Sequence, residues 1–384
     1  MSTSTNDEHE DDERAPLISD DHDGETTSRY AAPAAVPSEL PALHTVRLIG
    51  ALHICVYHTA PGSPLGPGAA WGASWVPFYF LLSGFGPAHS RLLQNSTVNP
   101  LCPSISVLLR RLAAVYPMHV LGVLLSASVA IARGESIRLG TLTLELLLLH
   151  AWMPASWTLG YCADAACTRW VSLAYNMPTW FVSVLMGYWF LEPSAFRLGS
   201  VVCRQSWPML SCAVLNAIWV LVWPWARCPL TWGTKWWNAV DVLTYVHLYA
   251  SGAILAHMLH ERAKHGVMRH RQSQRRPMRW MASAAAILLT CIFGLDLRML
   301  FGPKCDPTLI DHWTHKVDVL LPLHAMLLLG LAEGDDPLSI ALSMRPLPWL
   351  RHLALGVYLL QAPTYEALTL ATSWPTPYSQ ACVP

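Results

Sequence analysis

The stretch LAAVYPMHVLGVLLSASVAI, from Leu112 to Ile131, decides the fold class of this chain. It contains no Asp, Glu, Lys or Arg and directly follows the pair Arg110 and Arg111. A helix needs roughly 20 apolar residues to cross the hydrocarbon core of a bilayer. The apolar residues run on continuously and do not alternate with polar ones. The stretch therefore predicts a transmembrane helix and not a strand of a membrane barrel.

Similar apolar runs follow one another from residue 40 to residue 373, and we expect this region to be an all-α, polytopic bundle of nine or ten transmembrane helices. Trp and Tyr are frequent near the ends of the runs, as is typical of membrane interfaces. The run from Leu139 to Pro154 is short and carries Glu145, so it is the weakest candidate. The other candidate spans are Ala42–Thr59, Ala69–His89, Met177–Phe196, Pro208–Ala226, Val240–Leu259, Met281–Leu300, Val317–Leu331 and Leu347–Thr372.

The composition agrees with a membrane protein. Hydrophobic residues make up 53% of the chain and charged residues only 13%, which is too few to cover a compact soluble protein. The chain has 25 basic and 25 acidic residues, and this balance argues against nucleic acid as a partner. We expect the lipid bilayer to be the main surrounding medium.

Residues 1–39 are rich in Asp, Glu, Ser and Thr and cannot form a core, so we predict a disordered acidic tail. The tail does not resemble a secretory signal peptide, because its start is acidic and no apolar run follows at once. Its segment Glu13–Ile18 resembles an acidic dileucine sorting signal, and a chance match in an acidic tail is the alternative. Residues 374–384 form a short C-terminal tail.

Lysine and arginine in short loops indicate the orientation in the membrane. Both the segment Arg91–Arg111 and the segment Arg262–Arg279 should be cytosolic, which requires an even number of crossings between them. Five candidates separate them, so we expect Leu139–Pro154 to be re-entrant or interfacial. The N-terminus is then cytosolic, and Asn95, which begins a glycosylation sequon, is cytosolic and unmodified.

In this orientation several cysteines face the lumen or the outside of the cell, where disulfides form. The sequence does not fix their connectivity, although Cys162 and Cys167 are one candidate pair. The cysteines concerned are Cys162, Cys167, Cys228, Cys305 and Cys382.

Two ionisable residues of the first span form the main candidate site. Arg47 and His58 are eleven positions apart, so they share one face of the helix at a separation of ~16 Å along its axis. Ionisable residues inside a span indicate function, and histidine can accept and return a proton near neutral pH. Alternatively, Arg47 is an interfacial side chain that extends to the membrane surface, and His58 is an ordinary histidine at a helix end.

Five segments, taken in order, resemble the motifs of acyltransferase family 3, the membrane-bound acyltransferases that include bacterial O-antigen acetylases. The resemblance runs from about Leu40 to Tyr365. The segments are Arg47–His58 (Arg, ten residues, His), Val76–Phe85 (similar to Phe-Phe-x-x-Ser-Gly-Phe), Leu109–His119 (similar to Arg-Arg-x-x-Arg-x-x-Pro), Asn176–Ser183 (similar to a Trp-Ser-Leu helix start) and Leu355–Pro363 (similar to Ser-Tyr-x-x-Tyr-Leu-x-His-x-Pro).

The sequence departs from the family pattern at three positions. Ala114 stands where the third arginine of the Arg-Arg-x-x-Arg segment is expected, and Leu185 stands where a glutamate often follows the Trp-Ser-Leu segment. Gln361 replaces a common histidine. These departures leave the substrate open and keep a catalytically silent receptor or scaffold as an alternative.

The resemblance implies transfer of an acyl group, usually acetyl from acetyl-CoA, to a hydroxyl of a sugar or another polar acceptor. It implies no bound cofactor and no metal. Arg47 and His58 are then the catalytic candidates, with His58 as general base or acyl carrier. Arg110 and Arg111 are candidates for binding the CoA phosphates, although as loop arginines they also fit simple membrane anchors.

Four further residues of the motifs, Ser83, Asn176, Trp180 and Tyr358, are additional site candidates. A proton-coupled transporter is the main alternative from another functional class. The compartment, whether secretory, endolysosomal or plasma membrane, is open.

Overall fold

A computed structural model describes residues 39–59, 69, 71–94, 104–153, 175–176, 178–205, 207–208, 210–214, 216–219, 242–268, 277–293, 320–344 and 353–372. Within these ranges the protein is all-α, without β-strands, as predicted. The helices are α1 (Pro41–Thr59), α2 (Trp75–Leu93), α3 (Ile105–Ala132), α4 (Leu139–Leu146), α5 (Thr179–Cys203), α6 (Val246–Met268), α7 (Met281–Phe293), α8 (Leu321–Glu333), α9 (Pro337–Ser343) and α10 (Leu353–Thr372).

Most predicted spans coincide with these helices, but their lengths differ. Helix α3 has 28 residues and is the one described helix long and apolar enough to cross a membrane, while α7 and α8 are apolar but shorter. Helix α4 has only eight residues, or ~12 Å, and a short 3₁₀ turn from His150 to Trp152 follows it. Several predicted features lie outside the described residues. They are the acidic tail, the C-terminal tail, Asn95, about half of the span Pro208–Ala226 and the five loop cysteines.

Helices α2, α5 and α6 run in the same direction and pack through close backbone contact. Gly84 of α2 lies on the carbonyl of Tyr249 in α6, and a Cβ atom at Gly84 would overlap that carbonyl oxygen. Further along the same pair, His89 and His260 form a hydrogen bond of 3.2 Å. Small residues let helices approach closely, as the sequence predicted at Gly84. The ends of α2 and α6 that carry Arg91 and Arg262 consequently lie at the same end of the bundle.

Helices α1, α3 and α10 run in the opposite direction. The register of α3 and α10 follows from two contacts, because Gly356 lies beside Met118 and the Leu359 carbonyl lies beside Gly122. At their far ends Arg133, which follows α3, pairs with Glu366 of α10. Helix α10 also packs along α1. These three helices form one side of the bundle, and α2, α5 and α6 form the other.

Asp336 joins α7, α8 and α9. Its carboxylate caps α9 by accepting a hydrogen bond from the Leu338 N–H, the N-cap arrangement favoured by aspartate. The same carboxylate accepts hydrogen bonds from the N–H groups of Ala282 and Ser283 in the first turn of α7. Because a negative charge stabilises helix N-termini, one buried carboxylate supports two helix starts.

The outer surface of α3 is apolar while its inner surface carries polar groups. Leu121, Leu124 and Ile131 are exposed, whereas His119 and Ser126 are buried. A helix in water has the opposite arrangement. Apolar side chains on the outside and polar side chains toward the protein interior are typical of a helix that contacts lipid.

Candidate functional site

Arg47 lies in the first half of α1, beside the start of α2. The Tyr79 hydroxyl donates a hydrogen bond to the Arg47 carbonyl oxygen, and the Arg47 guanidinium lies close enough to Tyr79 for an electrostatic interaction. The side chain is exposed although protein atoms surround it closely, so it occupies a crevice that reaches solvent. No carboxylate within the described ranges forms an ion pair with it.

An aromatic cluster next to Arg47 brings three of the sequence motifs together. The rings of Tyr79 and Tyr358 have centroids 6.2 Å apart, and Phe181 lies 6.1 Å from Tyr79 and 5.6 Å from Tyr358. These residues belong to α2, α10 and α5. Arg47 on α1 therefore lies beside side chains from three motifs that are far apart in the sequence.

His58 lies near the C-terminal end of α1 and is half-buried. Its ring contacts the ring of Tyr57 at 4.8 Å. Arg47 lies ~16 Å back along the helix, so the two predicted catalytic residues share a helix but do not contact each other. If both act in one reaction, the reacting molecule has to extend between them.

Arg110 and Arg111 do not share a site with Arg47. Gly356 of α10 lies beside Met118 of α3, which sets a common level for the two parallel helices. Tyr358, which is level with Arg47, lies ~3 Å beyond Gly356 along α10. Arg111 lies ~10 Å before Met118 along α3. Arg111 is thus ~13 Å from the level of Arg47. Arg111 forms an ion pair with Glu192 of α5, whereas Arg110 is exposed.

Ser83 and Trp180 lie at the edge of the aromatic cluster. Ser83 is half-buried on α2, next to the close contact made by Gly84. Trp180 packs against Phe80 at 6.2 Å and Tyr245 at 5.7 Å. Both residues support the packing around Tyr79, and the structure gives neither a contact with Arg47 or His58.

A groove of about 490 Å³ runs between α1 and α10. It is lined by Cys55 and by one face of α10 from Val357 to Thr369, a length of ~18 Å. The end of the groove at Val357 is level with Tyr358, and the end at Thr369 is level with His58. His58 follows Cys55 by about one turn on the same face of α1. The groove therefore extends over the distance between Arg47 and His58.

Gln361 contributes an unsatisfied polar atom to this groove. Its side chain is 5% exposed, and its Nε2 donates to the Tyr358 carbonyl oxygen at 3.0 Å. That bond directs the amide oxygen away from the helix, and Oε1 has no hydrogen-bond partner within the described part of the chain. The groove is thus mainly apolar, and its polar groups are the hydroxyls of Thr364, Tyr365 and Thr369 and the buried amide of Gln361.

Asn176 belongs to a buried polar cluster that joins α3, α4 and α5. We use this name for His119, Glu145, His150, Asn176 and Thr179, all completely buried. Glu145 Oε1 accepts hydrogen bonds from the Asn176 N–H at 2.9 Å and from the Thr179 hydroxyl at 3.0 Å. Asn176 Nδ2 donates to the Leu359 carbonyl at 2.9 Å, next to Tyr358.

The two histidines complete the buried polar cluster. His119 Nε2 donates to the Glu145 carbonyl oxygen at 2.9 Å, and His150 Nε2 lies 3.3 Å from the Thr179 hydroxyl. The remaining polar atoms, Glu145 Oε2 and both Nδ1 atoms, have no hydrogen-bond partner among the described residues. No group of three metal-binding side chains occurs in the ranges the structure describes.

His119 and His150 were not among the site residues predicted from the sequence. Glu145 counted only as evidence that its segment does not cross the membrane. The signal for this cluster was available, because three ionisable residues in apolar segments indicate function. Their meeting depends on the short α4 helix folding back against α3. Leu148, with a φ of 59°, makes the tight turn that buries His150.

No protein-family model, curated protein or solved structure matches this chain. The resemblance to acyltransferase family 3 consequently rests on the five sequence motifs alone.

Proposed function

We propose that this protein is a multi-pass membrane acyltransferase that moves an acyl group from acyl-CoA to a hydroxyl. The convergence of the motifs carries the proposal. Four of the five motifs meet at one place, where they contribute Arg47, Tyr79, Phe181 and Tyr358. The fifth motif contributes His119, which bonds to the backbone of Glu145 and through it contacts the Asn176 region.

We also propose that the bundle crosses the membrane nine times, with a cytosolic N-terminus. The short α4 supports this number, since a helix of ~12 Å cannot span the bilayer. The shared position of Arg91 and Arg262 at one end of the bundle agrees with a common cytosolic side.

The chemistry assigns a different role to each part of the site. Arg110 and Arg111 bind the CoA phosphates at the cytosolic end, where Arg111 exchanges its bond to Glu192 for phosphate. Arg47, deeper in the bundle, binds the pantetheine arm of CoA. The groove along α10 carries the thioester toward His58.

The proposed transfer exchanges a C–S bond for a C–O bond. The acceptor oxygen attacks the thioester carbonyl carbon, the new C–O bond forms, and the C–S bond breaks. His58 takes the hydroxyl proton as general base and returns it to the departing CoA sulfur. An acyl-imidazole on His58 is the two-step form of the same exchange. The products are an ester and free CoA.

Replacing His58 tests this role. Purified His58→Ala protein should fold and bind CoA but should lose transfer from radiolabelled acetyl-CoA by at least ~100-fold. His44→Ala serves as the matched control, because His44 lies ~21 Å before His58 along α1. Full activity of the His58→Ala protein would refute the proposed mechanism.

A proton-coupled transporter is the second candidate, and the buried polar cluster favours it, because intramembrane ionisable groups can form proton relays. Reconstitution in liposomes distinguishes the two functions. An acyltransferase gives saturable acetyl-CoA turnover without a proton gradient. A transporter gives substrate-dependent proton movement and no CoA turnover.

A further inference from the structure

The environment of Glu145 presents a charge problem that acyl transfer does not explain. The side chain is completely buried, and no basic side chain forms an ion pair with it in the described part of the protein. A bare carboxylate in such a place costs several kcal/mol of desolvation energy. The hydrogen bonds from Asn176 and Thr179 offset only part of that cost.

The titratable and charged groups around Glu145 come from every neighbouring element. Helix α3 contributes His119 and the 3₁₀ turn contributes His150. The Tyr175 hydroxyl accepts a hydrogen bond from the Arg138 N–H at 2.9 Å, and the Tyr175 backbone hydrogen-bonds to the Glu145 carboxylate. The Arg138 side chain is exposed. Helix α10 faces the cluster with the Leu359 carbonyl, which Asn176 already satisfies. The two imidazoles are therefore the only bases within this set.

A proton can remove the charge in two ways, and they differ in energy. A protonated Glu145 beside two neutral imidazoles leaves the whole cluster uncharged. A carboxylate beside an imidazolium places two charges in a buried site, and each has to be desolvated. The first arrangement costs less. It also matches the geometry, because a proton on Glu145 Oε1 can be donated to the Thr179 oxygen 3.0 Å away while the Thr179 hydroxyl donates to the Asn176 carbonyl oxygen at 2.6 Å.

Thr179 connects this carboxyl group with His150. Its hydroxyl oxygen lies 3.0 Å from Glu145 Oε1, 3.3 Å from His150 Nε2 and 2.6 Å from the Asn176 carbonyl oxygen, to which it can donate its single proton. When this hydroxyl turns from the Asn176 carbonyl to an unprotonated His150 Nε2, Glu145 can pass its proton from Oε1 to the Thr179 oxygen as Thr179 passes its own proton to His150. His150 Nδ1 also has no partner among the described residues, so it can take up or release the proton on the other side.

We propose that Glu145, Thr179 and His150 form a proton-binding site inside the helix bundle, with the proton resting on Glu145 and exchanging through Thr179 and His150. Binding of the proton keeps α4 folded against α3 and holds Asn176 against α10. Loss of the proton leaves a buried charge and weakens both contacts. This proposal goes beyond the proposed acyl transfer and does not depend on it.

Infrared spectroscopy of the full-length protein in detergent tests where the proton resides. The wild-type protein at neutral pH should show the C=O stretching band of a buried, protonated carboxylic acid. The band should be absent in Glu145→Gln and should disappear when the pH of the wild type is raised. A wild-type spectrum without this band at neutral pH overturns the proposal.

The rate of exchange in D₂O tests the route. His150→Phe should retain the carboxylic acid band, but its shift on hydrogen–deuterium exchange should be at least tenfold slower than in the wild type. His44→Phe, a substitution outside the cluster, should exchange at the wild-type rate. Equal rates in His150→Phe and the wild type overturn the role of His150.

The pH dependence of stability gives a third measurement. An unfolded glutamate releases its proton near pH ~4.3, so unfolding at neutral pH releases the proton that the folded protein holds. The folding equilibrium constant should therefore fall as the pH rises, by up to about tenfold per pH unit. Glu145→Gln keeps the acceptor oxygen without a charge and should lack this slope. Equal slopes for the two proteins overturn the proposal.

Discussion

Arg47 differs from Arg111 and Arg133 in what holds it. Arg111 has Glu192 as an ion-pair partner and Arg133 has Glu366, whereas Arg47 has no carboxylate partner among the described residues. A cation that folding leaves uncompensated is available to a substrate, because it does not have to break an existing ion pair first.

We therefore expect Arg47→Gln to change activity and not stability. Transfer should fall by about 10- to 100-fold, a typical effect of removing one charge-assisted hydrogen bond to a substrate. Arg47→Lys should retain part of the activity because it keeps the charge. Acetyl-CoA turnover and thermal unfolding of purified protein measure the two effects. A large loss of melting temperature in Arg47→Gln would instead indicate a structural role.

Individual helices depend on contacts that a single added methyl group can test. Gly84→Ala places a Cβ atom against the Tyr249 backbone, which cannot move away as a side chain could. We expect a loss of about 2 kcal/mol of stability from this overpacking. Gly86→Ala, two residues along α2, meets nothing within 4 Å and should stabilise the helix by up to ~1 kcal/mol. If Gly84→Ala and Gly86→Ala lowered the melting temperature equally, this description of the α2–α6 contact would be contradicted.

The groove along α10 gives a second prediction for an element. Leu368 lines the groove, and Leu370 lies on the same helix outside the set of lining residues. Their exposures are similar, 51% and 45%, so each can be replaced by tryptophan at similar cost to folding. Leu368→Trp should fill the groove and reduce transfer at least tenfold, whereas Leu370→Trp should be close to wild type. Equal transfer by both variants would exclude the groove as the path of the acyl group.

The elements could be predicted more completely than the site. The apolar runs located α1 within one residue and α3, α5 and α10 within about seven residues at each end, because length and hydrophobicity determine such helices locally. The motif order also located Arg47 and Tyr358 in one region. His119, Glu145 and His150 come together only through the turn at Leu148, and no spacing in the sequence encodes that fold-back. The ~13 Å between Arg47 and Arg111 likewise depends on how α1 and α3 align with α10, which is a tertiary property.

At the scale of the whole molecule, the contact between His89 and His260 constrains topology. The loops that follow α2 and α6 leave the same end of the bundle, so the loop with Asn95 and the basic segment around His270 should lie on one side of the membrane. We expect Asn95→Gln to leave the electrophoretic mobility of the cellular protein unchanged, because the proposed orientation puts the natural sequon in the cytosol.

An engineered sequon near Cys162 should be glycosylated in the same cells and should be removed by a glycosidase. Accessibility labelling at His270 provides the control for the cytosolic side. A glycan on Asn95 would reverse the proposed orientation of the entire bundle.

The ion pair between Arg111 and Glu192 has a consequence for the order in which this protein is made. Ribosomes synthesise α3 well before α5, so Arg111 enters the translocation machinery as an unpaired positive charge and can help to keep its loop in the cytosol. Glu192 neutralises that charge only when α5 arrives and packs. The same guanidinium therefore acts first as a signal for orientation and later as a bond between two helices. Glu192→Gln should consequently leave the orientation intact while weakening the assembled protein, which glycosylation mapping and thermal unfolding can distinguish.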